Sequence, residues 1–175
     1  MKKLLLILIS LLPLVLFTGC DSTFQLIPQN GNTIKMARNK EILITTAENG
    51  YYKNKEYKTS GQKTTRTLEK KIRPYSSRVN VTPIKSFSKI DREVLLKYDY
   101  IVCPELYHWE DRATSLTFMP DKIILGLTVY DNTGNILNHI EIKGESTKVT
   151  ELFNDPIDLI DEALDIYIRQ LFELN

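Results

Sequence analysis

The stretch Lys122-Ile-Ile-Leu-Gly-Leu-Thr-Val-Tyr-Asp131 reads as a long strand, because apolar and β-branched residues occupy both of its faces. A strand that is apolar on both faces belongs in the middle of a sheet. Asn132-Thr-Gly-Asn135 follows as a tight turn, and residues 136–144 carry isoleucines on one face. These segments together predict an antiparallel hairpin near the centre of the fold.

Upstream of this hairpin, three short apolar runs alternate with two helical patterns. Residues 41–46, 78–82 and 99–104 are predicted strands, and residues 62–73 and 88–98 are predicted helices. Ser60 is expected to cap the first helix, and Ser88 the second. Strands that alternate with helices are typical of crossover connections, so the three strands are expected to be parallel.

The C-terminal segment is predicted to be a helix that begins at Asp155-Pro156, with Asp as the cap and Pro in the first position. Apolar residues then recur at helical spacing to the C-terminus. The predicted fold class is therefore α/β, a single domain over residues 40–175. Its order along the chain is β-α-β-α-β-β-β-α, with one mixed sheet that is parallel in its first half, followed by the antiparallel hairpin and the C-terminal helix.

The N-terminus has the pattern of a secretory signal peptide over residues 1–19. Lys2 and Lys3 precede an apolar run over residues 4–17, and small residues stand directly before Cys20. A cysteine in this position resembles the bacterial lipoprotein pattern, which implies cleavage before Cys20, a thioether-linked diacylglycerol on its sulfur and acylation of its amine. The alternatives are an uncleaved membrane anchor and plain secretion with a free Cys20.

A lipidated Cys20 would attach the protein to a membrane, since two or three acyl chains give stable anchoring. Residues 20–39 are polar, with Asn, Gln, Gly and Pro, and are predicted to form a flexible tether between the lipid and the domain. The expected location is the bacterial cell envelope, facing the periplasm. Asp21 resembles the signal that retains lipoproteins in the inner membrane, so it favours the inner membrane over the outer.

Charge and cysteine usage exclude several classes of protein. Removal of residues 1–19 lowers the number of Lys and Arg residues from 23 to 21, against 22 Asp and Glu. This is not the basic balance of a nucleic-acid-binding protein. Cys103 lies in an apolar run and is interpreted as a small buried hydrophobic residue. Only two histidines accompany it, so neither a metal site nor a cofactor is expected.

The candidate site follows the third predicted strand, in the run Glu105-Leu-Tyr-His-Trp-Glu-Asp-Arg-Ala-Thr114. The first predicted strand is followed by Tyr51 and Tyr52, and ligand sites cluster where parallel strands end. If the first and third strands are neighbours, the two loops meet at one edge of the sheet. The predicted partner-binding residues are Tyr51, Tyr52, Trp109, Glu110, Asp111, Arg112 and Thr114.

This cluster admits three interpretations. In a binding site, Trp109 and a tyrosine would stack on a sugar or a peptide, while Arg112 would clamp a carboxylate. In a glycan hydrolase, Glu105 would act with Glu110 or Asp111 as an acid and base pair. In a structural role, the charged residues would form a local salt-bridge network over a packed Trp109.

The run Trp109-Glu110-Asp111-Arg112-Ala113-Thr114 resembles the signature of a family of bacterial lipoproteins that is known only as a domain of unknown function. Weaker matches accompany it at Gly50-Tyr51, Ser60-Gly61, Pro120-Asp121 and residues 144–146. The resemblance implies a fold and a location, and no catalytic residue. The expected function is that of a non-enzymatic binding or assembly factor of the envelope, with an envelope protein or peptidoglycan as partner; a hydrolase and a purely structural lipoprotein are the alternatives.

Overall fold

The computed structural model describes residues 23–29, 34–112, 120–146 and 155–172. The strands within these ranges are β1 (Thr23–Pro28), β2 (Ile42–Thr45), β3 (Tyr51–Tyr52), β4 (Lys55–Glu56), β5 (Val79–Thr82), β6 (Tyr100–Glu110), β7 (Lys122–Asp131) and β8 (Ile136–Glu145). The helices are α1 (Ser60–Ile72), α2 (Arg92–Leu95) and α3 (Asp161–Phe172), with 3₁₀ turns at Phe87–Lys89 and Pro156–Ile160.

Six of these strands form the main sheet in the order β1-β8-β7-β6-β2-β5, and β3 pairs with β4 in a separate small hairpin. The predicted central hairpin is confirmed, because β7 and β8 pair antiparallel along their whole length. The predicted parallel neighbours are also confirmed, because β2 lies between β5 and β6 and runs parallel to both. The first and third predicted strands are therefore adjacent.

The predicted α/β class with the order β-α-β-α-β-β-β-α is wrong. The protein is rich in strands, and antiparallel pairing dominates its mixed sheet: β1 pairs with β8, β8 with β7, and β7 with β6 in this way. The second predicted helix, over residues 88–98, is reduced to a 3₁₀ turn and the four residues of α2. The third predicted strand, in contrast, continues past residue 104 to Glu110.

The tether predicted for residues 20–39 also needs correction. Residues 23–28 form the edge strand β1, whose six residues pair in register with β8 from Thr23 opposite Glu145 to Pro28 opposite Ile140. Further along, Met36 is buried, and its backbone N–H donates to the carbonyl of Leu171 at 2.7 Å. Much of this segment therefore belongs to the domain.

Of the two predicted helix caps at Asp155 and Ser60, the first is confirmed and the second is wrong. Asp155 caps the C-terminal helical segment and Pro156 opens it, as predicted, and the backbone N–H of Asp155 donates to the carboxylate of Asp158 at 3.0 Å. Ser60 does not cap α1, because it is the first residue of that helix. Its hydroxyl instead donates to the carbonyl of Tyr57 and accepts the N–H of Gly50, so it fastens the start of α1 to the loop after β2.

The two faces of the main sheet differ in how they are covered. The first face packs against α1, α3 and the 3₁₀ turn before α3, and its fully buried residues include Ile42, Ile44, Ile123, Leu125, Leu127 and Ile142. On the second face, residues 84–98 cover a smaller cluster around Leu43, Ile101 and Cys103. The described helices include none that is long and apolar enough to cross a membrane.

Candidate functional site

The candidate site is built on the second half of β6, which extends beyond its pairing with β2 and passes the small hairpin of β3 and β4. A bulge between Leu106 and His108 shifts the register with β7, so Tyr107 is the extra residue. After the bulge, Trp109 lies opposite the buried Ile123. Neighbouring residues of a strand point to opposite faces, so His108 and Glu110 lie on the other face of the sheet.

Trp109 is a core residue. Only 2% of it is exposed, and it belongs to the hydrophobic cluster of the helix-covered face. The loop after β2 approaches it so closely that a Cβ atom on Gly50 would lie 2.4 Å from the Trp109 Cβ. A glycine at this position is therefore needed for close packing, and the indole ring is not presented to a partner.

Glu110 is a buried carboxylate held by charged neighbours, and its side chain is 3% exposed. One oxygen forms an ion pair with the Arg112 guanidinium, and the other lies 3.1 Å from His108 Nε2. Burial alone would raise the pKa of Glu110, but the hydrogen bonds that it accepts outweigh this effect and lower it; the donors are His108, Arg112 and Tyr52. Glu110 is therefore ionised in the folded protein at neutral pH.

Tyr52 and Arg112 close this cluster from the side of the small hairpin. Arg112 Nη2 donates to the Tyr52 hydroxyl at 2.8 Å, and the guanidinium lies 5.2 Å from the centre of the Tyr52 ring. The ring also meets the His108 imidazole edge-on, with 5.4 Å between centroids. We call these four residues, Tyr52, His108, Glu110 and Arg112, the carboxylate latch.

Backbone contacts tie the latch to the rest of the sheet. The Arg112 N–H donates to Asp121 Oδ1 at 2.7 Å, just before β7. The Asp121 N–H donates to the Ser146 hydroxyl at 2.8 Å, and the Ser146 N–H returns a bond to the Asp121 carbonyl at 3.0 Å. The ends of β6 and β8 and the start of β7 are thus joined at the latch.

The hairpin beside the latch has a different character. Tyr51 is 53% exposed and belongs to neither hydrophobic cluster of the described residues. Lys53 Nζ lies 5.1 Å from the centre of the Tyr52 ring, and Lys55 Nζ lies 4.2 Å from that of Tyr57. Residues 51–57 therefore present an aromatic and cationic surface to solvent, which we call the hairpin surface.

The structure brings most of the predicted site residues together and divides them into two groups. Tyr52, Glu110 and Arg112 belong to the latch, and Trp109 lies in the core behind it. Tyr51 is exposed on the hairpin surface, and Asp111 accepts a hydrogen bond from the Tyr57 hydroxyl at its backbone carbonyl, 3.1 Å away. Cys20 and Thr114 lie outside the described residues.

Sequence reasoning missed Asp121 and Ser146 as parts of this site. A signal existed, since Pro120-Asp121 and residues 144–146 were among the weak matches to the lipoprotein family. Their contact depends on the register of β7 and β8, which brings together residues 25 positions apart. His108 was likewise not among the predicted partner-binding residues, and the structure places it as a partner of Glu110.

The latch has the chemistry of a closed ionic cluster. A general acid for glycan hydrolysis needs a raised pKa, whereas the pKa of Glu110 is lowered. The Glu105 carboxylate accepts a hydrogen bond from the Tyr107 hydroxyl at 2.9 Å. Within the described ranges, no three His, Cys, Asp or Glu side chains converge as metal ligands.

Solved structures show the same fold with very little sequence identity. The PelC dodecamer from Paraburkholderia phytofirmans aligns with a TM-score of 0.64 and 8% identity over 87% of this chain and 100% of the PelC chain. A single-substitution variant of that PelC dodecamer gives a TM-score of 0.63 and 9% identity over the same shares. Protein XCC0632 from Xanthomonas campestris, of family DUF330, gives only 0.43 and 9% identity over 83% of this chain and 87% of its own.

Sequence comparison gives the family. No curated protein sequence matches this chain significantly. One family model matches residues 34–171, a range that runs from the segment before β2 to the last turn of α3 and includes the latch and the hairpin surface. The chain belongs to the family DUF4823, a domain of unknown function.

Proposed function

We propose that this protein is a lipid-anchored component of the bacterial cell envelope that binds or assembles with a partner and is not an enzyme. The observation that carries the binding role is the exposed hairpin surface, which is fixed in place by the latch. Tyr51 projects from it, and two lysines stack on its other tyrosines. Aromatic residues and cations that are exposed on a rigid support are typical of recognition surfaces.

The proposed anchor is a diacylglycerol on Cys20, with residues 1–19 removed. The charged start, the apolar run and the small residues before Cys20 support it. Asp21 favours retention in the inner membrane, with the domain facing the periplasm. The partner is an envelope protein, peptidoglycan or further copies of this chain.

Assembly with further copies is supported by the likeness to PelC, whose solved form is a dodecamer. Among the described residues, the main sheet ends in two different edge strands, β1 and β5. Contacts between two unlike surfaces of one subunit are heterologous and close into rings when the rotation between subunits allows it. A ring of identical subunits is therefore the assembly to be tested first.

The state of Glu110 supports a non-enzymatic role. A hydrolase of the retaining or inverting type needs one carboxyl that is protonated and accessible to the substrate. Glu110 is buried, ionised and paired with Arg112. Release of this carboxylate would also break the contacts that hold the hairpin surface in place.

The anchor is tested by replacement of Cys20 with Ser in the full-length chain. We expect wild-type protein in the membrane fraction with the mass of a processed, lipidated chain, and the variant released or retained as an uncut precursor. Membrane retention with an unchanged mass in both proteins would refute the anchor. Asp21→Ser, followed by separation of the two membranes, tests the preference for the inner membrane.

The hairpin surface is tested by photocrosslinking in intact cells, with a photoreactive residue at position 51. The control position is Leu96, which is 63% exposed directly after α2, in the segment that covers the second face of the sheet. We expect a discrete crosslinked product at position 51 that weakens in a Lys55→Ala background, and none at position 96. A crosslinked product whose mass is a multiple of the mass of this chain indicates self-assembly. Equal products at positions 51 and 96 would refute the proposal that the hairpin surface binds the partner.

A further inference from the structure

A groove on the less covered face of the sheet lies at the same end as the latch. It has a volume of about 310 Å³ and spans four strands. Its lining combines basic, acidic and apolar residues: Thr23, Gln25, His108, Lys122, Ile123, Ile124, Lys143, Gly144 and Glu145. The groove therefore offers charged, polar and apolar groups side by side.

The pairing register fixes where this groove lies along the strands. Thr23 and Lys122 both pair with Glu145, and Lys122 also pairs with Glu110. Thr23 and Lys122 are the first residues of β1 and β7, and Glu110 and Glu145 are the last residues of β6 and β8. The four residues therefore form one row across the sheet. The groove is therefore at one end of the sheet, and the turn between β7 and β8 is at the other, about 30 Å away for a ten-residue strand.

The start of β1 restricts the orientation of the domain on a membrane. Thr23 is only three residues beyond Cys20, and three residues reach about 11 Å at most. A lipid on Cys20 therefore holds the end of the sheet at Thr23 within about that distance of the bilayer surface. The far end, at the β7–β8 turn, cannot approach the bilayer unless the whole domain lies flat.

The charges of the groove complement a phospholipid headgroup. Lys122 forms an ion pair with Glu145 at 3.0 Å, and both side chains are more than 40% exposed. Lys143 pairs with Glu141 at the same distance and is exposed to a similar extent. Exposed pairs of this kind contribute little stability and exchange partners readily. Both lysines can therefore turn to a lipid phosphate, while Glu145 remains for a headgroup amine.

We propose that the end of the sheet marked by Thr23, Lys122 and Glu145 rests on the membrane, and that the groove receives a zwitterionic phospholipid headgroup. The phosphate lies against Lys122 and Lys143, and the amine against Glu145. This inference rests on the proposed lipid anchor. It adds an orientation, in which the β7–β8 turn points away from the bilayer.

The test uses the full-length lipidated protein in vesicles of phosphatidylethanolamine and phosphatidylglycerol at three to one. A fluorescent probe is attached at Gln25→Cys in one sample and at Ile136→Cys, beside the β7–β8 turn, in the other. Both positions are exposed, and the native Cys103 is buried. We expect lipids that carry a headgroup quencher to quench the probe at position 25 several-fold more than the probe at position 136. Equal quenching, or stronger quenching at position 136, would overturn the orientation.

The headgroup contact is tested in the same vesicles with Lys122→Gln, Lys143→Gln in the Gln25→Cys background. The matched control is Lys89→Gln, Lys97→Gln, which removes the same charge beside α2. We expect quenching at position 25 to fall in the groove variant and to stay unchanged in the control. Unchanged quenching in both would overturn the headgroup contact. Retention by the vesicles reports the anchor separately, so loss of the anchor and loss of the orientation give different results.

Discussion

The carboxylate latch and the hairpin surface lie side by side and carry the same kinds of residues, but they differ in how far these residues are exposed. The latch has every charged group matched with a partner, and its central carboxylate is 3% exposed. The hairpin surface leaves Tyr51 more than half exposed and its lysines stacked at the surface. Aromatic and charged residues of the same kinds are therefore open to a partner only where the fold leaves them uncovered.

The largest expected effect comes from Trp109→Ala. Loss of a fully buried indole removes its apolar contacts and leaves a cavity, which costs about 3–5 kcal/mol. Tyr51→Ala on the hairpin surface is the matched control and is expected to change stability by about 0.5 kcal/mol or less. Urea unfolding of the two variants measures the difference. Similar losses in both would contradict the division between the two regions.

The second-largest effect on stability is expected from removal of the buried charge of Glu110. Glu110→Gln removes the carboxylate that pairs with Arg112 and contacts His108, which we expect to lower the free energy of unfolding at pH 7, by less than Trp109→Ala does. The folded protein lowers the pKa of Glu110 below its ordinary value of 4.5. Its stabilisation is therefore complete above pH 4.5 and is lost as pH falls through the lower pKa of the folded state.

The pH dependence of unfolding separates this ionic effect from packing. We expect the gap in stability between wild type and Glu110→Gln to narrow below pH 4.5. Asp131 serves as a control, because hydrogen bonds from Thr133 and Asn135 outweigh its burial and lower its pKa to about 2. Asp131→Asn should remove a separate part of the acid dependence. If the difference in unfolding free energy between wild type and Glu110→Gln is constant from pH 3 to pH 7, Glu110 is not ionised in the folded protein.

A smaller effect is expected at the glycine where the hairpin meets the core. A methyl group on Gly50 would collide with the Trp109 Cβ, which cannot move without its backbone, so Gly50→Ala should cost about 1–3 kcal/mol. Gly126→Ala is the comparison. There the methyl group meets the ring of Tyr107, which is 49% exposed and free to swing away. Equal losses of stability would show that the contact with Trp109 is not tight.

The smallest change concerns reactivity instead of stability. Burial raises the pKa of the Cys103 thiol to about 11, and hydrogen bonds only partly oppose this effect. Relative to its ordinary value of 9.0, this leaves about 100-fold less thiolate at neutral pH. Reaction with a thiol reagent should therefore follow unfolding. Rapid labelling of the native protein would show that residues 84–98 do not cover this part of the sheet.

The elements that could be predicted from the sequence are those with local signals. The hairpin of β7 and β8, the parallel strands β2 and β5 and the start of the C-terminal helical segment each have an apolar period or a cap in their own residues. Strand β1 has no such signal, because its six residues pair with a strand more than a hundred positions away. Its polar neighbours made the whole segment look like a tether.

The second half of β6 could not be predicted as a strand for a different reason. Its residues alternate between the two faces of the sheet, but the bulge at Tyr107 interrupts the alternation. Glu110 also looks like a surface residue until Arg112 and Tyr52 are placed around it. The sequence therefore predicted that Tyr52, Glu110 and Arg112 meet, but it missed Asp121 and Ser146. The division into a buried latch and an exposed surface depended on the register of β6 against β7.

The most direct test of this division is the fluorescence of Trp109, the only tryptophan of the chain. The indole lies in the core behind the latch, so we expect emission at short wavelength and little quenching by acrylamide. Glu110→Gln should move the emission towards longer wavelength only if it opens this end of β6. Emission at long wavelength with ready quenching in the wild-type protein would contradict the account, because residues 109–112 would then be an exposed loop available to a partner.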